Sequence, residues 1–349
     1  MKKRIIIIGD FLKDLDDEHT LALLSGILKR DASLELACVI GNLAPAMLRA
    51  QGAKGTLQQL GLGHVPVGVG SAVFEGKVHP YESAVPYLAG ESEVDPDGLA
   101  LLVKTLESSE DGQVILVLQS GFTDAADLLR GHAALCVSKI SSVAMMAGVV
   151  TADEKVKLDD EGFISPNNAN NITFDSESGA FVYRTLQDLG IPMVITTRDS
   201  AYACQIPFTV YDQMEATGNP VGACLKGRQK PSLQGLWEAA CSESGSKIRG
   251  TLPDDRNRGW FVKVFCGGKD PGIGDGEDIW PFVGAFNLYD PVNLVAAIPS
   301  LREEYFAPDL VEVKGVGHLV IGVSSGRHGL KDVDGLRRFL VETEVSGLS

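Results

Sequence analysis

Ile5-Ile6-Ile7-Ile8-Gly9-Asp10-Phe11-Leu12-Lys13-Asp14-Leu15-Asp16-Asp17-Glu18-His19-Thr20-Leu21-Ala22-Leu23-Leu24 is the stretch that decides how the rest of the chain is read. It opens as a β-branched run and ends in a carboxylate. It then shifts to the Leu21, Leu24, Ile27, Leu28 spacing of a helix. The loop between strand and helix carries Asp10, Asp14, Asp16 and Asp17. Carboxylates so close together repel one another unless something positive sits among them. A hard divalent cation, which takes oxygen ligands, is the simplest neutraliser, and a hydroxyl-rich ligand can occupy part of the same site. Acidic residues also suit a helix N-terminus through its macrodipole. That explains one or two of them, but not four at the carboxyl end of a buried strand, where ligands collect in open α/β sheets.

Outward from this stretch the alternation continues. Further strands are expected at 34–40, 66–69, 114–118, 143–147 and 193–196. Helices are expected through Leu60, over 97–107, from the 120–124 turn to near Arg130, and over 176–189. This predicts an α/β fold with a mostly parallel central sheet and helices on both faces, in an open Rossmann-like architecture. Right-handed crossovers put the strand-to-helix loops on one edge. Segments 10–17, 41–42, 120–124, 146–148 and 165–171 then converge on one crevice. With no linker or repeat, residues 1–349 read as one domain. Segment 151–171 reads as a long loop or hairpin, and the Gly-, Asp-, Ser- and Lys-rich segment 242–279 as an inserted loop or lid.

The balance of 31 basic against 46 acidic residues, a net charge of −15, argues against a nucleic-acid surface. No run is long enough to span a bilayer, and Asp10 cuts the first apolar run too soon for a signal peptide. Six cysteines without a C-x-x-C pair read as buried free thiols in a reducing, cytoplasmic setting. Phosphate-cradling glycine loops and a nucleophile elbow are missing. None of the histidines forms a metal-spaced pair, and His19 reads as a surface or capping residue. Asn167, Asn168, Asn170 and Asn171 supply amides that can read sugar hydroxyls, though the same composition makes a plain turn. Asp290, followed by Pro291, serves equally as a helix N-cap.

Taken in chain order, Asp10 to Asp17, Val39-Ile40-Gly41-Asn42, Gly121-Phe122-Thr123-Asp124, Met145-Met146-Ala147-Gly148, Asn171 with Asp175-Ser176-Glu177, and Tyr289-Asp290-Pro291 resemble the motifs of the inosine–uridine nucleoside hydrolase family. That family opens with Asp-x-Asp-Pro-Gly-x-Asp-Asp. The resemblance implies a nucleoside hydrolase-like fold and a Ca²⁺ held by Asp17, Asp290 and the backbone carbonyl of Thr123. It implies ribose binding by Asp16, Asn42 and Asn171, with Met146 and Asn168 also on the substrate. The reaction it implies is hydrolysis of a ribosyl N-glycosidic bond through an oxocarbenium-like state.

Three positions depart from the family pattern. The general-base aspartate, also a metal ligand, is Leu12 here, the ribose-contacting glutamate is Ala169, and the leaving-group histidine is Tyr289. Asp10 or Asp14 then stands as the residue to activate water, Tyr289 as donor or stacking surface, and Trp260 and Trp280 as groups closing over the base or a second ribose. Asp-Phe-Leu-Lys-Asp with Asn-Leu-Tyr-Asp-Pro resembles the branch that includes plant-pathogen type III effectors of the XopQ kind. Members of that branch are associated with ADP-ribose-like ligands and poor turnover of ordinary nucleosides. The expected partner is a riboside or ADP-ribose-like nucleotide, with no nucleic acid and no membrane. A homo-oligomer is common in the family, and an effector would add a host protein partner in the host cytoplasm. Two functions follow: a Ca²⁺-dependent hydrolase with an altered site, or an impaired riboside-binding protein that sequesters its ligand. Leu12→Asp is the substitution expected to separate them.

Overall fold

Alternate residues of the isoleucine run enter different cores. In the computed structural model, which describes residues 2–13, 15–74, 78–250 and 252–349, the first strand β1 (Lys3–Gly9) sends Ile5 and Ile7 into one hydrophobic core and Ile6 and Ile8 into another. A strand buried on both faces needs layers on both sides. One layer holds α1 (Asp16–Arg30) and α2 (Ala46–Gln59), with helices from the C-terminal half. The other holds α3 (Gly98–Glu107), α4 (Thr123–Lys139) and α5 (Ser176–Leu189).

The other strands of the main sheet are β2 (Leu34–Gly41), β3 (Val67–Val69), β4 (Val114–Leu118), β5 (Ile140–Met146), β6 (Met193–Thr196), β7 (Asp309–Val313) and β8 (Val316–Ile321). They form one eight-stranded sheet in the order β7-β8-β6-β5-β4-β1-β2-β3. Every neighbouring pair is parallel except β7 with β8. The chain lays down β2 and β3 on one side of β1, then crosses to build β4, β5 and β6 on the other. The β1/β4 boundary is therefore a topological switch point, and the crevice outside its carboxyl ends is where such sheets take ligands.

The later chain carries α6 (Pro220–Cys241), α7 (Arg258–Phe265), α8 (Tyr289–Ala297) and α9 (Val333–Leu348). Several expectations are corrected here. The β7–β8 hairpin and α9 escape the periodicity reading, and α4, expected to end near Arg130, breaks its helical geometry at His132 (φ −139°, ψ 35°) before a further helical stretch to Lys139. Segment 242–279 is not a bare loop. It contains α7, buries Phe261 and Phe265 in the first core, and is tied down by Arg249, which donates to the carbonyls of Ser242, Leu252 and Pro253. Segment 151–171 begins as a hairpin, Thr151–Ala152 pairing with Lys155–Val156. All six cysteines are free, but Cys224 and Cys241 are only half-buried. Among the described residues no helix is long and apolar enough to cross a membrane.

Candidate active site

Gly9 ends β1 without a side chain, and Asp17 uses the space. A Cβ at Gly9 would come within 2.2 Å of Asp17 Oδ1, so the carboxylate packs directly on the strand end. Asp17 is fully buried, and neither of its oxygens has a hydrogen-bond partner among the described residues. Burial, and then the charges of Asp10, Asp290, Asp16 and Glu18, push its carboxyl well above the usual range. A bare carboxylate in such a place is costly unless a cation accompanies it. Asp16, Asp17 and Asp290 each offer an oxygen within 4.8 Å of the others. An all-carboxylate set with two orphaned oxygens fits a hard cation such as Ca²⁺.

Tertiary packing brings these groups together across the chain. Asp290 comes from the first turn of α8, where the backbone N–H groups of Tyr289 and Asp290 donate to Asp16 Oδ2 at 3.2 and 3.3 Å. The Asp290 carbonyl accepts from Gln119 Nε2 at 3.0 Å, so the end of β4 grips the same helix start. Gln119 carries this contact without having stood out in the sequence.

Leu12, where the sequence resemblance leads one to expect a carboxylate, packs away from the acidic loop. Leu12 has a left-handed backbone (φ 72°) and is fully buried. Its side chain turns away from the acidic loop to lie on α2 beside Gly52. Lys13 reaches the acidic loop instead. Its ammonium is 2.9 Å from Asp10 Oδ2 and stands over the Phe174 ring at 4.6 Å. Leu12 is thus followed by a cation that pairs with Asp10, itself 1% exposed. Asp14, the other candidate base, lies outside the described residues.

Two buried arginines hold this loop from behind. Arg228 on α6 pairs with Glu18 at 2.6 Å and donates to the Leu12 carbonyl at 2.8 Å. Arg49 on α2 pairs with Glu82 at 2.6 Å and donates to the Phe11 carbonyl at 3.4 Å. Neither arginine is distinguishable by sequence position alone. Each sits in an ordinary helical context, and its acid partner is remote or on a different element.

The remaining candidates divide. Asn171 donates both amide hydrogens, to the carbonyls of Gln119 and Met146 at 2.9 and 3.0 Å, and so spans the ends of β4 and β5. Asn168 is exposed. Asn42 is fully buried and engaged: its amide donates to Gly121 O and Asp124 Oδ2, and its oxygen accepts from Ser120. It acts here as a bolt between the β2 and β4 loops. Thr123 opens α4, its hydroxyl donated to Asp175 at 2.7 Å. Tyr289 is half-buried against Tyr202, and burial followed by that neighbour pushes its phenol well above the ordinary value.

Trp260 packs edge-on to Phe265 with Arg256 over its face, and Trp280 edge-on to Phe208 at 4.4 Å. Both rings sit in packing that anchors the later segments. His19, expected at a surface or cap, is buried between Glu344 and Tyr211 at 3.1 Å each.

No protein-family model and no curated protein sequence matches the chain. Solved structures do. The type III effector protein XopQ, complexed with adenosine diphosphate ribose, matches with a TM-score of 0.85 and 28% identity over 100% of this chain and 95% of that one. The effector protein XOO4466 matches at 0.83 and 27%, with the same coverage. A purine-preferring ribonucleoside hydrolase from Gardnerella vaginalis matches at 0.57 and 15%, over 99% of each chain. The fold is nucleoside-hydrolase-like, of the XopQ type.

Proposed function

We propose that this protein uses a divalent cation, Ca²⁺ by ligand chemistry, to bind a ribosylated nucleotide of the ADP-ribose kind, and that it turns over ordinary nucleosides poorly or not at all. The observation that carries the reading is Asp17, a fully buried carboxylate with both oxygens unpartnered among the described residues, beside Asp16 and Asp290. The resemblance to XopQ, whose structure holds adenosine diphosphate ribose, supports the ligand class.

Asp17 and Asp290 would hold the metal, with the Thr123 carbonyl as a further ligand. When bound, the cation would supply a charge that fixes ribose hydroxyls and polarises water. Asp16, fixed by the amides that open α8, would accept from a ribose hydroxyl. Asn171, with both hydrogens committed to the sheet, would offer its oxygen to another.

The same geometry argues against efficient hydrolysis. A general base must reach the proton it abstracts. Leu12 has no base and points into the core, and Asp10 is paired with Lys13. Among the described residues, the carboxylate left to act as base is Asp10, and it would have to part from its lysine.

Isothermal titration of metal-stripped protein with Ca²⁺, and then with ribose, adenosine and ADP-ribose, tests this, with the same samples assayed for released base or ribose. Ca²⁺-dependent binding without product is expected. Steady release of free base would replace the reading with a hydrolase using Asp10 or Asp14. An absence of Ca²⁺ binding would overturn the metal assignment.

A further inference from the structure

The rim beside the acidic crevice combines a cation with an aromatic pair. Phe174 lies across the β4–α4 turn, where a Cβ at Gly121 would touch its own Cβ at 3.4 Å. Lys13 stands over its ring at 4.6 Å. Phe74 packs against it with ring centroids 4.8 Å apart and the planes tilted by 50°.

Phe74 is 43% exposed and has a left-handed backbone (φ 71°). That conformation is costly for a bulky residue and needs support from its surroundings. The support comes from Ser71, whose N–H and hydroxyl both donate to Asp124, at 2.7 and 2.9 Å, and whose carbonyl accepts from Leu43. The loop is thereby bolted to the turn that carries the site.

Electrostatics gives the lysine a task. The crevice holds Asp10, Asp16, Asp17 and Asp290 in a protein of net charge −15. Such a field repels a phosphorylated ligand. An ammonium on a flexible stem is a phosphate ligand of ordinary type, and a partly exposed aromatic ring such as Phe74 offers a planar base an aromatic contact.

From this we infer that Lys13, with Phe74 and Phe174, forms a subsite for the phosphorylated, aromatic half of the ligand, so that Lys13 makes the site prefer nucleotides to free ribosides. The inference rests on the riboside-binding reading above. In it the phosphate shares or takes over the ammonium that Asp10 holds, and Phe74 takes a face of the base.

The test is titration of Ca²⁺-loaded wild type, Lys13→Gln, Lys13→Arg and Phe74→Ser with ribose, ribose 5-phosphate, adenosine and ADP-ribose, with melting curves as a check on folding. Lys13→Gln is expected to weaken ribose 5-phosphate and ADP-ribose by about tenfold or more while changing ribose by less than about twofold. Lys13→Arg should restore most of the loss. Phe74→Ser should weaken adenosine and ADP-ribose and spare ribose 5-phosphate. Equal weakening of ribose and ribose 5-phosphate by Lys13→Gln would reduce the lysine to a positioning role and overturn the inference. Unchanged affinity for the phosphorylated ligands would do the same. Failure of wild type to bind any of the four would remove the parent reading, an outcome distinct from either.

Discussion

Leu12 occupies the space that Gly52 leaves on α2: a Cβ at Gly52 would stand 2.4 Å from both Cγ and Cδ1 of Leu12. The leucine is locked by shape into the core, with its backbone in the left-handed region. An aspartate at this position would enter the apolar space beside Gly52, and the nearby cations Arg228, Arg49 and Lys13 are already paired with Glu18, Glu82 and Asp10. Leu12→Asp is therefore expected to lose several kcal/mol of stability, as an unpaired buried charge does, and to gain no nucleoside hydrolysis. Gly52→Ala should cost about 1–3 kcal/mol through overpacking. Urea melts with a nucleoside assay check both. A Leu12→Asp protein of wild-type stability that cleaves inosine would show that the side chain can swing into the site.

Asp17 opposes folding when it ionises without a cation. Its folded-state carboxyl is raised above the ordinary 3.8 by burial and by its acidic neighbours. The sign follows from linkage: Asp17 carries no penalty while protonated in both folded and unfolded states, and stability is lost as pH rises from the ordinary carboxyl range through the raised folded value. Metal-free Asp17→Asn should match wild type in acid and exceed it near neutrality, by urea melts at several pH values. Added Ca²⁺ should reverse the order by stabilising wild type alone, by about 2.7 kcal/mol at a hundredfold excess over Kd. A Ca²⁺-induced rise in Tm that survives in Asp17→Asn would remove Asp17 from the metal site.

Proton release should accompany metal binding, because the carboxyls that ligate must be ionised. Calorimetry in buffers of different ionisation enthalpy is expected to show protons leaving on Ca²⁺ addition below neutrality, with affinity rising as pH rises. Affinity that does not rise with pH above the ordinary carboxyl range would contradict the raised carboxyl at Asp17.

The Arg228–Glu18 pair links α6 to the acidic loop through the Leu12 carbonyl. Arg228→Met leaves Glu18 charged and fully buried, and is expected to cost about 3–5 kcal/mol. Glu18→Leu combined with Arg228→Met should recover much of that stability, since removing both partners avoids the orphan charge. If the loop's shape depends on the carbonyl contact, the double variant will still bind Ca²⁺ more weakly than wild type. Full recovery of both quantities would make the arginine a purely structural partner.

Trp280 is edge-on to Phe208 and close to Tyr211 in a cluster that also holds Phe286. Trp280→Ala is expected to lower stability by about 1–3 kcal/mol, less than a fully buried tryptophan would, and to leave ADP-ribose affinity within about twofold. Selective loss of ligand affinity at unchanged stability would restore the role of closing over the base.

Much of this molecule is legible in its sequence because the relevant physics is local. Ile5 to Ile8 can be buried on both faces only inside a covered sheet, and Val114 to Leu118 repeat the pattern. Right-handed crossovers then place Asp10, Gln119 and Met146 on one edge without reference to any particular contact. The crowding of Asp16 and Asp17 after a buried strand is likewise visible in the chain itself. Lys13 was in plain view within the same stretch, and an isolated cation among aspartates is the signal that would have marked it.

Only the tertiary structure decided where the side chains point. The direction of Leu12 depends on a left-handed φ and on the missing side chain of Gly52, forty residues away, which no local period encodes. Asn42 is claimed by Ser120, Gly121 and Asp124, and His19 by Glu344 and Tyr211. Trp260 and Trp280 are held by aromatic packing against α7 and Phe208. In each case the residue type left the partners open, and long-range packing and hydrogen bonding supplied them. Periodicity reports burial along one element, whereas a site is assembled from partners on several.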